Sequence, residues 1–191
     1  MLSKNSIAKI YKYYFTTPRY NEEVVRATCE FFDRPDLKRG DSLEMDDKSL
    51  GLFNEWFLYD FKLVNGKTPL ANFVAKNPLK VSKKDMAFYR AILKSNEYGL
   101  FEVLHIDLNT GLMLKNLQTE KENYVYERSL TSQVEIGSVF FGRIGLVNDH
   151  YELIGADSFS MIATSDEIKR YFHGIKIKLT PKIACDIWKR Q

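Results

Sequence analysis

Tyr124, Tyr126 and Arg128 carry the most usable chemistry in this chain. They alternate along one run, and a spacing of two sends side chains to the same face of a β-strand. Two phenol rings and a guanidinium on an outward face make a small binding patch with π-surface, hydroxyls and a forked cation. Nothing comparable supports catalysis. His105, His150 and His173 are the three histidines. None falls into a set with metal-ligand spacing, so no metal is implied. Asp149 beside His150 offers at most a pH-sensitive pair. There is no G-x-S-x-G elbow, no G-x-G-x-x-G loop, and Gly66-Lys67-Thr68 lacks the upstream glycine of a phosphate cradle. No cofactor is implied. Asp60 lies among Trp56, Phe57, Tyr59 and Phe61. A carboxylate there needs a structural partner, and a lone acid lacks the second group that acid–base chemistry requires.

Charge is segregated along the chain. Residues 98–167 hold four basic and eleven acidic residues, a net of −7. Residues 168–191 are +6, residues 76–94 are +5, and residues 1–20 carry four basic groups and no acid. Phosphate backbones bind through lysine and arginine, so the acidic segment argues against nucleic acid as its ligand. If nucleic acid is bound, the basic helical surfaces must do it, through Lys80, Lys83, Lys84, Lys176, Lys178 and Lys182.

The elements that position these residues follow from periodicity. Ile7, Ile10, Tyr11, Tyr14 and Phe15 recur at helical spacing over residues 4–16, and their aromatic rings are expected in the core. Asn21 is read as the cap of a second helix ending near Phe32, and residues 33–44 as a loop. A third helix opens at Asp46 or Asp47 and is apolar nearly all round, which predicts burial on several sides. Short helices over residues 70–76 and 83–96 follow, the latter capped by Ser82 with Asp85. At Gly99 the period switches to alternation. Strands are predicted over 100–107, 111–117, 123–128, 138–147 and 150–155, with a sixth over 159–163. A helix over 165–171 and a last one from Pro181 to Trp188 complete the reading.

The expected fold is α+β: a helical subdomain (1–97) packed on a small SH3-like or OB-like β-barrel (98–163), with a short C-terminal helical tail (164–191). A hydrophobic fraction of 45% supplies a core for such a chain, and 14% aromatic residues should dominate its packing. Cys29 and Cys185 are read as two separate thiols, which fits a reducing cytoplasm. No apolar run approaches the ~18 residues of a membrane span, and the N-terminal residues lack the pattern of a secretory signal.

The runs FNEWFLYDFKLVNGKTPLANFV (53–74), GLFEVLHIDLNTGLMLKNLQTEKENYVYERS (99–129) and IGSVFFGRI (136–144) resemble an uncharacterised bacterial family. In it an aromatic helix of the W-F-L-F-D type precedes a small barrel, and some members carry a SEC-C-type cysteine/histidine zinc motif. This chain has no such cysteine cluster, so the resemblance implies architecture and no zinc. The function expected is a non-enzymatic cytoplasmic binding or adaptor protein, its partner a protein. The alternatives are a nucleic-acid-associated protein and, more weakly, an enzyme with an unrecognised site at the helix–barrel junction. Oligomeric state does not follow from the sequence.

Overall fold

Leu52, Phe53, Trp56, Phe57, Leu58 and Tyr59 are all buried on one helix, α3 (Asp47–Tyr59), as its all-round apolar pattern predicts. Asp46 caps it, accepting from the Ser49 amide at 2.9 Å and the Ser49 hydroxyl at 2.7 Å. The computed structural model describes residues 3–41, 46–155, 159–164 and 178–188. These fall into two units by contact density, Met1–Leu93 with Pro181–Gln191, and Lys94–Thr180.

The first unit is helical: α1 (Ser3–Thr16), α2 (Asn21–Phe32), α3, α4 (Pro69–Lys76), α5 (Lys83–Ser95) and α6 (Pro181–Trp188). Thus the last helix of the expected tail groups with the N-terminal helices; it buries Ala184 and Cys185. The helix predicted over 165–171 lies outside the described residues. Asn21 is not a cap. A 3-10 turn at Pro18–Tyr20 runs into α2, so Tyr20 takes the cap position and no side chain bonds there. Thr68 caps α4 through Ala71, with Pro69 in the first turn, and Asn77 ends it at φ 42°. Ser82 and Asp85 bond at the start of α5 as expected.

Aromatic rings fill this unit. Tyr14 and Tyr20 lie 4.6 Å apart, Phe31 and Trp56 5.4 Å, Phe73 and Tyr89 5.5 Å. Each such pair adds about 0.5–1.5 kcal/mol beyond area burial. Buried Asn72 donates to the Tyr14 hydroxyl (2.8 Å) and the Tyr20 hydroxyl (3.2 Å), and accepts from Asn65 (3.0 Å). Tyr14 in turn donates to the Pro69 carbonyl at 2.8 Å, tying α1 to α4. No described helix is long and apolar enough to cross a membrane.

The second unit is a small barrel of β1 (Glu97–Asp107), β2 (Gly111–Asn116), β3 (Glu122–Tyr126), β4 (Ser138–Val147) and β5 (His150–Leu153), with β6 (Phe159–Thr164) added against β4. The order is β1-β2-β3-β5-β4, and β4 returns to pair with β1. All these pairs are antiparallel except β3–β5. Of the two barrel types expected, this closure is the OB-like one. The interior is Phe101, Val103, Leu112, Leu114, Val125, Leu130, Phe140 and Ile144. Leu130 comes from a 3-10 turn, Leu130–Ser132, between β3 and β4.

Replacing Asn72 by Leu should lower the stability of the helical unit by about 1–3 kcal/mol, because the buried Tyr14 and Tyr20 hydroxyls would lose the bonds that Asn72 donates. Denaturant unfolding followed by near-ultraviolet circular dichroism checks this; an unchanged midpoint would contradict the network.

Candidate functional site

The barrel's outer face is set by an irregularity in β1. Val103 pairs with Leu114 but His105, not Leu104, pairs with Met113. One extra residue is thereby inserted, and it resets the alternation. Ile106 turns inward to pack on the core, while His105 and Asp107 both face out. Without the bulge His105 would point into an apolar interior.

Register then assembles two cross-strand rows. Asp107 pairs with Gly111, Gly111 with Tyr126, and Tyr126 with Glu152. In the next row His105 pairs with Met113 and Met113 with Tyr124, beside His150. Tyr126 is 48% exposed, large for an aromatic ring. Its ring lies 5.2 Å from that of Tyr124 at 78° and 4.7 Å from that of His150 at 64°. The Tyr124 hydroxyl donates to Asp107 Oδ2 at 2.6 Å, and His105 Nε2 stands 3.2 Å from Asp107 Oδ1. His150 Nε2 stands 2.9 Å from Glu152 Oε1. Its partner is therefore Glu152 and not Asp149, because residues two apart share a strand face and adjacent ones do not. Asn148 and Asp149 instead form the β4–β5 turn, at φ 47° and 69°.

Gly111 makes this geometry available. A Cβ there would sit 2.5 Å from the Val125 carbonyl oxygen and 3.0 Å from Tyr124 Cε1. Only a bare backbone lets the Tyr124 ring cross toward Asp107.

Of the residues expected in the patch, Tyr124 and Tyr126 share the outward face of β3. Arg128 does not lie on the strand. β3 ends at Tyr126, two residues earlier than expected, and Arg128 is exposed in the turn that follows. Its carbonyl accepts from Thr131 Oγ1 at 2.7 Å, and Thr131 Oγ1 accepts from the Asn109 amide at 3.0 Å, so this turn is tied to the β1–β2 hairpin. Asp107, Gly111 and Glu152 were not singled out in the sequence, and His150 was paired there with Asp149. The signal for the acids was two His-x-acid steps, His105-x-Asp107 and His150-x-Glu152, each on a predicted strand.

The other expected residues lie elsewhere. Lys80, Lys83 and Lys84 are exposed between α4 and the first turn of α5. Lys178 is exposed in the barrel unit, and Lys176 is outside the described residues. Lys182 is engaged: its Nζ donates to the Phe31 carbonyl at 3.1 Å and pairs with Asp33 at 3.0 Å. Asp60 is half-buried at the C-cap of α3. Glu55, nearly fully buried on α3, is the acid that apolar patterning concealed. Among the described residues no group of three or more His, Cys, Asp or Glu could hold a metal ion.

The Tyr124 bond holds the Asp107 carboxyl below the usual carboxylate range, against an opposing push from desolvation and with help from His105. The same bond, with desolvation, pushes the Tyr124 phenol up to about 12. A lowered acid favours the contact above the ordinary carboxylate range and loses it as pH falls through the lowered value. A raised phenol favours it below the ordinary phenol value and loses it as pH rises through about 12. Ring-carbon NMR should therefore find Tyr124 titrating near pH 12, and Asp107→Asn should return it toward the ordinary value of about 10. An identical Tyr124 titration in both proteins would contradict the bond.

No curated protein and no solved structure matches this chain. Residues 8–160, from α1 into β6, match a family of unknown function, and the chain belongs to that family, DUF7986.

Proposed function

We propose that this protein is a non-enzymatic binding module that holds a protein partner on the outer face of its barrel. The observation that carries this reading is the exposed Tyr126 ring, set against the half-buried rings of Tyr124 and His150. The rings occupy the β2–β3 face beside the β1–β2 and β4–β5 turns, where barrels of this connectivity take their ligands. An exposed aromatic ring held in place by neighbouring rings loses little conformational entropy on binding, which suits it to an interface. Cys29 and Cys185 are not joined in a disulfide, which supports a reducing location such as the cytoplasm.

A second reading keeps one observation in its favour, the exposed Lys80, Lys83 and Lys84 of the helical unit. Retention on heparin across a salt series tests it: steep salt dependence supports nucleic-acid contact, and flow-through at low salt removes it.

The first reading is tested by immobilising the full chain as wild type, Tyr126→Ala and Val64→Ala, the last an exposed control in the helical unit. Each is challenged with extract from the native source, and bound proteins are identified by mass spectrometry. A protein retained by wild type and Val64→Ala but lost by Tyr126→Ala is the expected result. The same retained set for all three would overturn the barrel face as the binding surface.

A further inference from the structure

The outward positions of β1, β2, β3 and β5 carry four carboxylates, Glu102, Asp107, Glu122 and Glu152, against one lysine, Lys115. Lys115 is ion-paired to Glu120 in the β2–β3 loop. A nucleic-acid phosphate or an acidic peptide would meet net repulsion here. The shape of the ring cluster makes a second discrimination. A base or a sugar ring stacks on a flat platform, but the rings of Tyr124 and His150 stand at 78° and 64° to that of Tyr126. Tyr126 itself stays 48% exposed, and the Asp107 and Glu152 carboxylates lie in its own cross-strand row. An exposed aromatic ring with carboxylates beside it attracts a cation, through the ring quadrupole and through charge. The carboxylates keep capacity for it. Asp107 accepts one bond at Oδ2 and faces His105 at Oδ1, and Glu152 faces His150 at Oε1, whereas an ionised carboxylate offers about four acceptor sites.

Resting on the binding-face reading above, we propose that this site receives a lysine or arginine side chain presented by a basic segment of the partner protein. The cationic head sits against the Tyr126 ring, between Tyr124 and His150, and its N–H groups donate to Asp107 and Glu152. Charge complementarity selects the occupant, since the segment bearing the site, residues 98–167, has a net charge of −7.

The full-length protein, labelled with nitrogen-15, is titrated with the capped tripeptides Gly-Arg-Gly and Gly-Lys-Gly, and in parallel with Gly-Glu-Gly, an oligothymidylate and cellobiose. The basic tripeptides should shift the resonances of Tyr124, Tyr126, His150 and Glu152 selectively. Tyr126→Ala should weaken that binding about tenfold, the size of a cation–ring contact of moderate desolvation. Glu152→Gln keeps the side-chain shape and should weaken it several-fold, so it decides the matter if Tyr126→Ala fails to fold. Shifts scattered over other acidic residues and insensitive to both substitutions would overturn the proposal. So would stronger shifts at the same residues from the oligonucleotide or the sugar. If the native partner depends on Tyr126 but neither basic tripeptide binds, the cation assignment falls while the binding face stands; loss of both results removes both readings.

Discussion

Strands β3 and β5 meet through two residue pairs, Val125 with Tyr151 and Tyr126 with Glu152, and closure of the barrel rests on that short parallel seam. Every other pairing in the ring is antiparallel. Parallel pairing is slightly weaker per residue and joins segments distant in sequence. The interior compensates. Val125 is fully buried, Tyr151 and Leu153 pack on the same cluster, and Leu112, Leu114 and Phe101 surround them. The apolar contents of the barrel thus hold the seam from inside, and the ring contact between Tyr126 and His150 lies across it on the outside.

The outer face depends on two further local choices. The bulge in β1 lets one strand place Phe101, Val103 and Ile106 inward while His105 and Asp107 face out. Gly111 lets the Tyr124 ring lie over the backbone of β2, where its hydroxyl reaches Asp107. Neither feature makes the barrel more stable by itself. A bulge leaves a residue unpaired, and a glycine in a strand packs nothing. Both orient side chains toward solvent, which is where a binding surface needs them. The opposite side of the ring differs: Val139, Phe141 and Arg143 on β4 are buried, with the Arg143 guanidinium over the Tyr98 ring and bonded to Asn96 at 2.7 Å. Among the described residues of the barrel, the large exposed aromatic is Tyr126, on the side away from these.

Much of this architecture was legible in the sequence, for stated reasons. The helices announced themselves through periodicity and through caps with short-range chemistry, Asp46 and Ser82 among them. The switch to strands at Gly99 and the tyrosine alternation at 124 and 126 were equally local. What stayed hidden was non-local. Nothing in residues 122–126 says that His150 will lie beside them, because that neighbour comes from closure. The bulge was invisible because Leu104 and His105 fit a regular strand as well as an irregular one. Arg128 was misplaced because alternation carries no stop signal, and β3 ended where the chain turned to insert Leu130 into the core. Asn72 and Glu55 were overlooked because a polar residue inside a helical pattern reads as surface until its partners or burial are seen.

The most direct measurement is a nuclear Overhauser spectrum of the full chain with selectively labelled tyrosine and histidine. The ring centroids of Tyr126 and His150 are 4.7 Å apart, so cross-peaks between their ring protons are required. They should accompany backbone contacts between Val125 and Tyr151. A Tyr126 ring that shows neighbours only within β2 and β3 would mean that the barrel does not close as described, and the aromatic face would not exist.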